Sequence, residues 1–445
     1  MRNALLPAAV LSLLACAALA QQAPAEPADP LPSIIVLMSD DAGFADFGFQ
    51  PGCAADCREL TPRIDSLAAA GARFTDACAT GAVCSPTRAG LLTGRYQQRF
   101  GHERNIPAGS MTAGLDPAER TLGDRLGALG LATGYVGKWH LGYADAFHPN
   151  RRGFAHFHGL LQGSRPYGTI ERDAPHQVLQ VNGKLQPEAG YVTDRFGDAA
   201  AAFVKEHAKE PFVLFVSFTA PHGPLQPLAA DLATVPESVP AQRRKNLGLL
   251  VGLDRAVGRI LDAVEEAGIR DRTLVVFTND NGGQVQTGAD NGPLRGAKGT
   301  LYEGGIRVPL AVRWPQRIRP GTVVTTPVAL FDLLPTFVAA TGARVDADWR
   351  LDGRDLLPLL AGDPAAVGER ALFFRTNGPK GPVAMRRGVH KLVYERNRAG
   401  SAPELYDLSR DPGEASNLAA AEPERLAAML AEIATWEAQL VDPRW

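Results

Sequence analysis

Apolar residues run without a polar break through 34–38 (Ile-Ile-Val-Leu-Met), 212–216 (Phe-Val-Leu-Phe-Val) and 274–277 (Leu-Val-Val-Phe), with a weaker run at 132–136. None alternates apolar with polar, which predicts strands covered on both faces, as in a parallel sheet. Between them the apolar positions recur at helical spacing. One helix is predicted over 60–70, with Thr61 at its N-cap, Pro62 in its first turn and Gly71 beyond its end. Others are predicted over 120–129, 194–209 and 246–267, and residues 331–336 open a further one. Strand and helix in alternation predict an α/β fold built on a large, mainly parallel sheet. After residue 368 the pattern changes to short strands at 371–374, 383–387 and 391–394, joined by Gly, Pro and Asn turns. An amphipathic helix over 423–440 follows. The expected division is a catalytic domain over 33–360 and a C-terminal α+β subdomain over 361–445, a small antiparallel sheet with one packed helix.

The ends of the predicted strands carry the chemistry. Asp40 and Asp41 follow the first run, Lys138 and His140 the weak one, His222 the run at 212–216, and Asp280 and Asn281 the run at 274–277. Ligands in open α/β sheets bind beyond the carboxyl ends of the strands. Four distant segments therefore bring carboxylates, an amide, a lysine and two histidines to one edge. Hard oxygen donors such as Asp40, Asp41, Asp280 and Asn281 suit Ca²⁺ or Mg²⁺, whereas zinc would call for more His or Cys. The two histidines are placed for proton transfer.

Composition narrows this picture. With 445 residues, 45% hydrophobic and 21% charged, the chain is an ordinary globular protein, long for a single core. A net charge of -2 removes a global nucleic-acid footprint, so any anion site is local. Arg2, the apolar run 4–20 and the Ala18-Leu19-Ala20 ending read as a signal peptide over 1–20, which sends the chain to the periplasm or outside. Lipid attachment at Cys16 is a second reading of the same segment. Residues 21–32, with four prolines, form a flexible lead-in, and no further stretch reads as a membrane span. Cys53 and Cys57 share a Gly/Pro-bounded loop, open to a disulfide or to two reduced thiols, and Cys78 reads as a small buried hydrophobe.

The fifth cysteine lies in Cys84-Ser85-Pro86-Thr87-Arg88-Ala89-Gly90-Leu91-Leu92-Thr93-Gly94-Arg95. Pro86 suits a first helical turn, Ser85 or Thr87 can cap it, and Arg88 offers a planar fork to a tetrahedral oxyanion at the helix start. This segment resembles the signature of the type I (formylglycine-dependent) sulfatases, arylsulfatase-like members of the alkaline phosphatase superfamily. Ser39-Asp40-Asp41-Ala42-Gly43 and Asn279-Asp280-Asn281-Gly282-Gly283 resemble the metal motifs of that family. Gly137-Lys138-Trp139-His140-Leu141-Gly142 is similar to its second signature. Leu294 to Thr300 resembles the segment that supplies Lys298, and Leu405-Tyr406-Asp407-Leu408 the C-terminal hairpin. The matches run in family order over most of 33–418.

The resemblance implies that a separate maturation enzyme oxidises Cys84 to formylglycine, whose hydrate attacks sulfur and then expels sulfate. It implies one Ca²⁺ held by Asp40, Asp41, Asp280 and Asn281, with residue 84 beside it as a further ligand. Arg88, Lys138 and Lys298 then stabilise sulfuryl charge, His222 protonates the leaving alcohol, with Lys298 sharing that task, and His140 is the base of the elimination step. The expected substrate is a sulfated carbohydrate. Two other readings stand beside this one: a phosphate or phosphonate monoester hydrolase of the same superfamily, and a catalytically silent sulfoglycan-binding protein with an unmodified thiol.

Overall fold

The structure, a computed structural model, describes residues 31–445 apart from 171–173, 175 and 188. The signal peptide expected over 1–20, with Cys16, and the lead-in as far as residue 30 lie outside the described residues. Along the chain the first sheet takes β1 (Ser33–Ser39), β2 (Ala72–Cys78), β3 (Ala132–Lys138), β4 (His156–Leu160), β5 (Gln180–Val181), β6 (Lys184–Leu185), β7 (Phe212–Ser217), β8 (Thr273–Asn279), β9 (Arg307–Arg313), β10 (Thr322–Val324) and β11 (Val328–Ala329). Its order is β10-β2-β9-β8-β1-β7-β3-β4-β5-β6, with β11 also against β2. The centre, β8-β1-β7-β3-β4, is wholly parallel. β9 enters antiparallel between β8 and β2. The four apolar runs are four of the five central strands, and every residue of β1, β7 and β8 is buried.

The two-residue period of a strand divides β1 between two cores. Ile34, Val36 and Met38 face a layer containing the helices Cys84–Thr93, Leu122–Ala128 and Leu333–Ala340. Ile35 and Leu37 face the helices Pro62–Ala69, Val192–Glu206 and Ala241–Glu266 on the other side. The helix expected from 246 starts five residues earlier, at Ala241. Thr61 stands at the N-cap of its helix but does not cap it: its hydroxyl donates to Asp65 Oδ1 at 3.3 Å.

A second sheet comprises β12 (Ala371–Arg375), β13 (Val383–Arg387), β14 (His390–Tyr394) and β15 (Glu404–Asp407), all antiparallel. The helix Pro423–Glu437 packs Met429 and Ile433 onto Val383, Met385, Leu392 and Leu405. Buried charge joins the two sheets, with Asp76 of β2 paired to Arg386 of β13, and Lys391 of β14 bonded to Glu303 at 2.8 Å. Cys78 is fully buried, as expected of a small hydrophobe. Cys53 and Cys57 are free thiols with sulfurs 3.2 Å apart.

Candidate active site

Register brings the strand exits together. Ser39 pairs with Asn279, Met38 with Ser217 and Gly137 with Ser217, so β1, β8, β7 and β3 end side by side. β2 is antiparallel to β9, itself antiparallel to β8, so β2 delivers its own end to the same edge. The helix Cys84–Thr93 begins there and is buried along its whole length. Val83 is its N-cap residue, so Ser85 and Thr87 lie inside the first turn and do not cap it. Ser85 instead donates to the His140 carbonyl, and Thr87 to the Gly81 carbonyl. Lys298 arrives on a loop tied down by its own N–H to Gly283 O (3.1 Å) and by Gly299 N–H to Ala82 O (2.8 Å). Two turns out of the sheet need left-handed backbone, at Asp41 (φ 70) and His140 (φ 57), a region where Asp and His are enriched among non-glycines. Just before Lys138 the chain needs glycine: at Gly137 (φ 106) a Cβ would stand 1.9 Å from Ser217 O.

Asp40, Asp41, Cys84, Arg88, Lys138, His222, Asp280, Asn281 and Lys298 are linked here by side-chain contacts. Asp40 Oδ2 takes Lys138 Nζ at 2.5 Å and Arg88 Nη2 at 3.5 Å, while its Oδ1 lies 3.5 Å from Cys84 Sγ. Asp41 Oδ2 takes Lys298 Nζ at 2.7 Å and faces His222 Nε2 at 3.5 Å. Asp41 Oδ1 accepts from Asn281 Nδ2 at 2.8 Å. Asp280 accepts from Arg88 Nη2 at 2.8 Å and from the Asp41 N–H at 3.3 Å. Three carboxylates thus face three fixed cations, all of them buried except Lys298, which like His222 is partly exposed. Ligand atoms of Asp40, Asp41, Cys84 and His222 all lie within 4.8 Å of one another. Asp280 and Asn281 adjoin that group, and Asn281 Oδ1 is buried with no hydrogen-bond partner.

Environment sets the protonation states. Burial works to raise the Asp40 carboxyl, but Lys138, then His222 and Arg88, outweigh it and hold the group below its ordinary range. Burial, followed by the charge of Asp280, pushes the Cys84 thiol up. Burial works to lower Lys298, and the Cys84 sulfur, Asp41 and Asp40 outweigh it, so the ammonium is held above the usual lysine range. His140 is driven well below its usual value by burial and then by Lys138 and Arg88. It is therefore neutral at neutral pH.

Several residues with no strong sequence signal complete the site. Ser217, the last residue of β7, accepts from Arg88 Nη1, which also donates to Lys138 O at 2.9 Å. Asn279 ties the exits of β1 and β8, accepting from Ser39 Oγ at 2.7 Å and donating to Ala42 O at 2.9 Å. His102, which follows the signature helix, lies buried with its Nε2 2.7 Å from Ser85 Oγ. A terminal Ser on an apolar run and an Asn heading an Asp-Asn motif are the faint signals that point to the first two.

Comparison with known proteins agrees with this geometry. The model of the sulfatase family matches residues 32–343, and that of the N-sulphoglucosamine sulphohydrolase C-terminal region matches 297–437. Steryl-sulfatase of Mus musculus is 31% identical over 511 residues, covering 89% of this chain and 80% of the relative. Arylsulfatase A of Homo sapiens is 33% identical, covering 89% and 86%. Among solved structures, Ps i-CgsB in complex with k-i-k-neocarrahexaose superposes with a TM-score of 0.88 at 31% identity, covering 93% of this chain and 94% of the other. The phosphonate monoester hydrolase SpPMH from Silicibacter pomeroyi shares the fold, with a TM-score of 0.69 at 19% identity over 92% and 96%. No helix among the described residues is long and apolar enough to cross a membrane. The chain belongs to the type I sulfatases of the alkaline phosphatase superfamily and is a sulfuric ester hydrolase.

Proposed function

We propose that this sulfatase is exported and acts on sulfated carbohydrates, using a formylglycine made from Cys84 by a separate maturation enzyme, beside one Ca²⁺. The observation that carries this reading is the position of Cys84: at the start of a buried helix, 3.5 Å from Asp40, among three carboxylates and three cations. A carbohydrate substrate is supported by the 31%-identical structure, which holds k-i-k-neocarrahexaose. The signal-peptide pattern in the sequence of 1–20 supports export. The donor set fits the ion: Asp40, Asp41, Asp280 and Asn281 offer hard oxygens, and the unpartnered Asn281 Oδ1 is the kind of buried atom a cation satisfies.

The hydrated aldehyde supplies two hydroxyls on one carbon, one to attack sulfur and one to release sulfate. Bound Ca²⁺ supplies a Lewis acid for the ester sulfate. The remaining steps fall to side chains already in place. Arg88 orients Asp280 at 2.8 Å and Asp40 at 3.5 Å, and Asp280 can take a proton from the nucleophile. Lys138 and Lys298 offer positive charge to the sulfuryl oxygens. His222 Nδ1–H donates to the Gly223 carbonyl at 2.7 Å, so its acid form carries the second proton on Nε2, beside Asp41 and Lys298. His140, neutral and with Nδ1 unpartnered, is the base.

His222→Ala is expected to lower kcat/KM on alkyl and sugar sulfates by ~10²–10⁴-fold, the usual range for a lost general acid. Activated aryl sulfates, whose alcohols leave unaided, lose far less. Equal losses on both substrate types remove His222 from this role. Ca²⁺ binding only the folded chain is expected to raise Tm, by about 2.7 kcal/mol of stability at a hundredfold excess over its Kd. Chelator-treated protein that melts identically with and without Ca²⁺ contradicts the ion assignment.

The reading as a whole is tested by two measurements on one preparation. The mass of the peptide holding Cys84 is expected to fall below that of the cysteine form. Sulfate esters are expected to turn over faster than phosphate esters of the same alcohol. An unmodified thiol with no turnover, in a chain that still binds sulfated glycan, favours a sulfoglycan-binding protein; faster phosphate turnover favours a phosphohydrolase.

A further inference from the structure

We infer that His102 is a positioning residue: acting through the Ser85 hydroxyl, it holds the backbone of His140 in register with the helix that carries Cys84. The inference rests on the catalytic reading of Cys84 and His140 and adds a residue to it.

The hydrogen-bond inventory at Ser85 leaves one arrangement. Ser85 Oγ lies 2.7 Å from the His140 carbonyl and 2.7 Å from His102 Nε2. A carbonyl only accepts, so the single hydroxyl proton goes to His140 O. The hydroxyl must then accept from His102, whose Nε2 carries the imidazole proton. His102 is 1% exposed, and its Nδ1 is buried with no partner. Burial, then Arg444, pushes the ring down to about 3, which keeps it neutral and in this tautomer at working pH.

His140 needs such a support. Its φ of 57 is a conformation that costs a non-glycine residue and persists where neighbours over-determine it. Two hydrogen bonds hold this peptide turn: its N–H to Leu161 O at 3.1 Å, and its carbonyl to Ser85. The ring itself lies against Gly163, where a Cβ would stand 2.5 Å from it.

The segment around His102 is itself anchored at both ends. Asn105 Oδ1 accepts from the Ser85 N–H at 3.0 Å, so 102–105 grips the first helical turn by side chain and by backbone. The Trp445 ring packs edge-on against His102, with centroids 4.7 Å apart, and its indole N–H donates to Asn105 O at 3.1 Å. Cys84 is the residue before Ser85. A slack His102 would thus let the nucleophile's helix and the base's turn move independently.

The test measures kcat and KM on a small aryl sulfate for His102→Leu, Ser85→Ala, the double variant and His102→Gln, each normalised to its content of modified residue 84. Either single change is expected to lower kcat by ~10–100-fold, the size of effect that follows a misplacement of about 1 Å. KM is expected to stay within about twofold, because no substrate contact is removed. The double variant is expected to be no worse than the poorer single, since both break one chain of bonds. His102→Gln, which presents an N–H at similar reach, is expected to recover most of the rate. Wild-type kcat in His102→Leu, additive losses in the double variant, or a glutamine no better than leucine would overturn the inference. If His102→Leu does not fold, Ser85→Ala decides: a lowered kcat supports the brace and an unchanged kcat overturns it. Failure of the sulfatase reading looks different, as an inactive wild type.

Discussion

Replacing Cys84 with alanine is expected to lower kcat on sulfate esters by ~10⁴-fold or more, as removal of a covalent nucleophile does, while leaving the fold intact. The separation of these effects follows from what the sulfur touches. Among the described residues its one side-chain hydrogen-bonding partner is Asp40 Oδ1, at a long 3.5 Å. The ion pairs that hold the pocket together, Lys138 with Asp40, Lys298 with Asp41 and Arg88 with Asp280, do not pass through it. Losing one buried atom costs about 1 kcal/mol, an ordinary value for a small deletion. The alanine variant is therefore expected to melt close to wild type and, having lost one of the ligands at the cation site, to show a smaller upward Tm shift with Ca²⁺. Initial rates on an activated aryl sulfate, read beside the two melts, check both halves. A variant that keeps more than a tenth of the wild-type rate removes residue 84 as the source of the nucleophile.

How far such a site can be read from the chain depends on whether a residue's role is local. β1, β7 and β8 announce themselves because both faces are covered and every residue is apolar or small. β2 and β9 do not. β2 carries Arg73, Thr75 and Asp76, and β9 begins and ends in arginine. Those charges are tolerated because Asp76 meets Arg386 of the other sheet, and Arg307 meets Glu303 at 2.5 Å. The first of these pairs spans 310 positions along the chain, and no local pattern encodes it. The same division holds in the pocket. Asp40, His140, Asp280 and Cys84 stand directly after strands or at a helix start, so their convergence needs only the sheet to be parallel. The partners of Arg88 are another matter. A buried guanidinium must find acceptors, and which ones it finds, Asp280, Ser217 and Lys138 O, depends on β8, β1, β7 and β3 being neighbours in that order. His102 is illegible for the same reason: its function is a contact with Ser85, seventeen residues away through a turn and a helix.

Asp40→Ala is expected to damage stability and activity together, unlike Cys84→Ala. Asp40 is fully buried, as is Lys138, whose ammonium lies 2.5 Å from its Oδ2. Arg88, 1% exposed, shares the same oxygen at 3.5 Å but keeps Asp280. Deleting the carboxylate therefore strands one buried ammonium and weakens the neutralisation of one guanidinium. Removing one partner from a buried pair costs ~3–5 kcal/mol, because the remaining charge stays out of water without compensation. The cation site loses a ligand at the same time, so the Tm increment with Ca²⁺ is expected to shrink or vanish. Acid gives an independent check on the cause. In the wild type Asp40 is held below its ordinary value of 3.8, so its stabilising contribution is complete above that pH and is lost as falling pH protonates it. The alanine variant has no such carboxyl to protonate, and the stability gap between the two proteins is expected to narrow as pH drops below 3.8. Asp40→Asn, which fills the same space and can still accept a hydrogen bond from Lys138, is expected to recover part of the stability but not the response to Ca²⁺. An alanine variant with wild-type Tm, or one whose deficit is the same at every pH, would show that the Lys138–Asp40–Arg88 cluster is not what holds this edge of the sheet together.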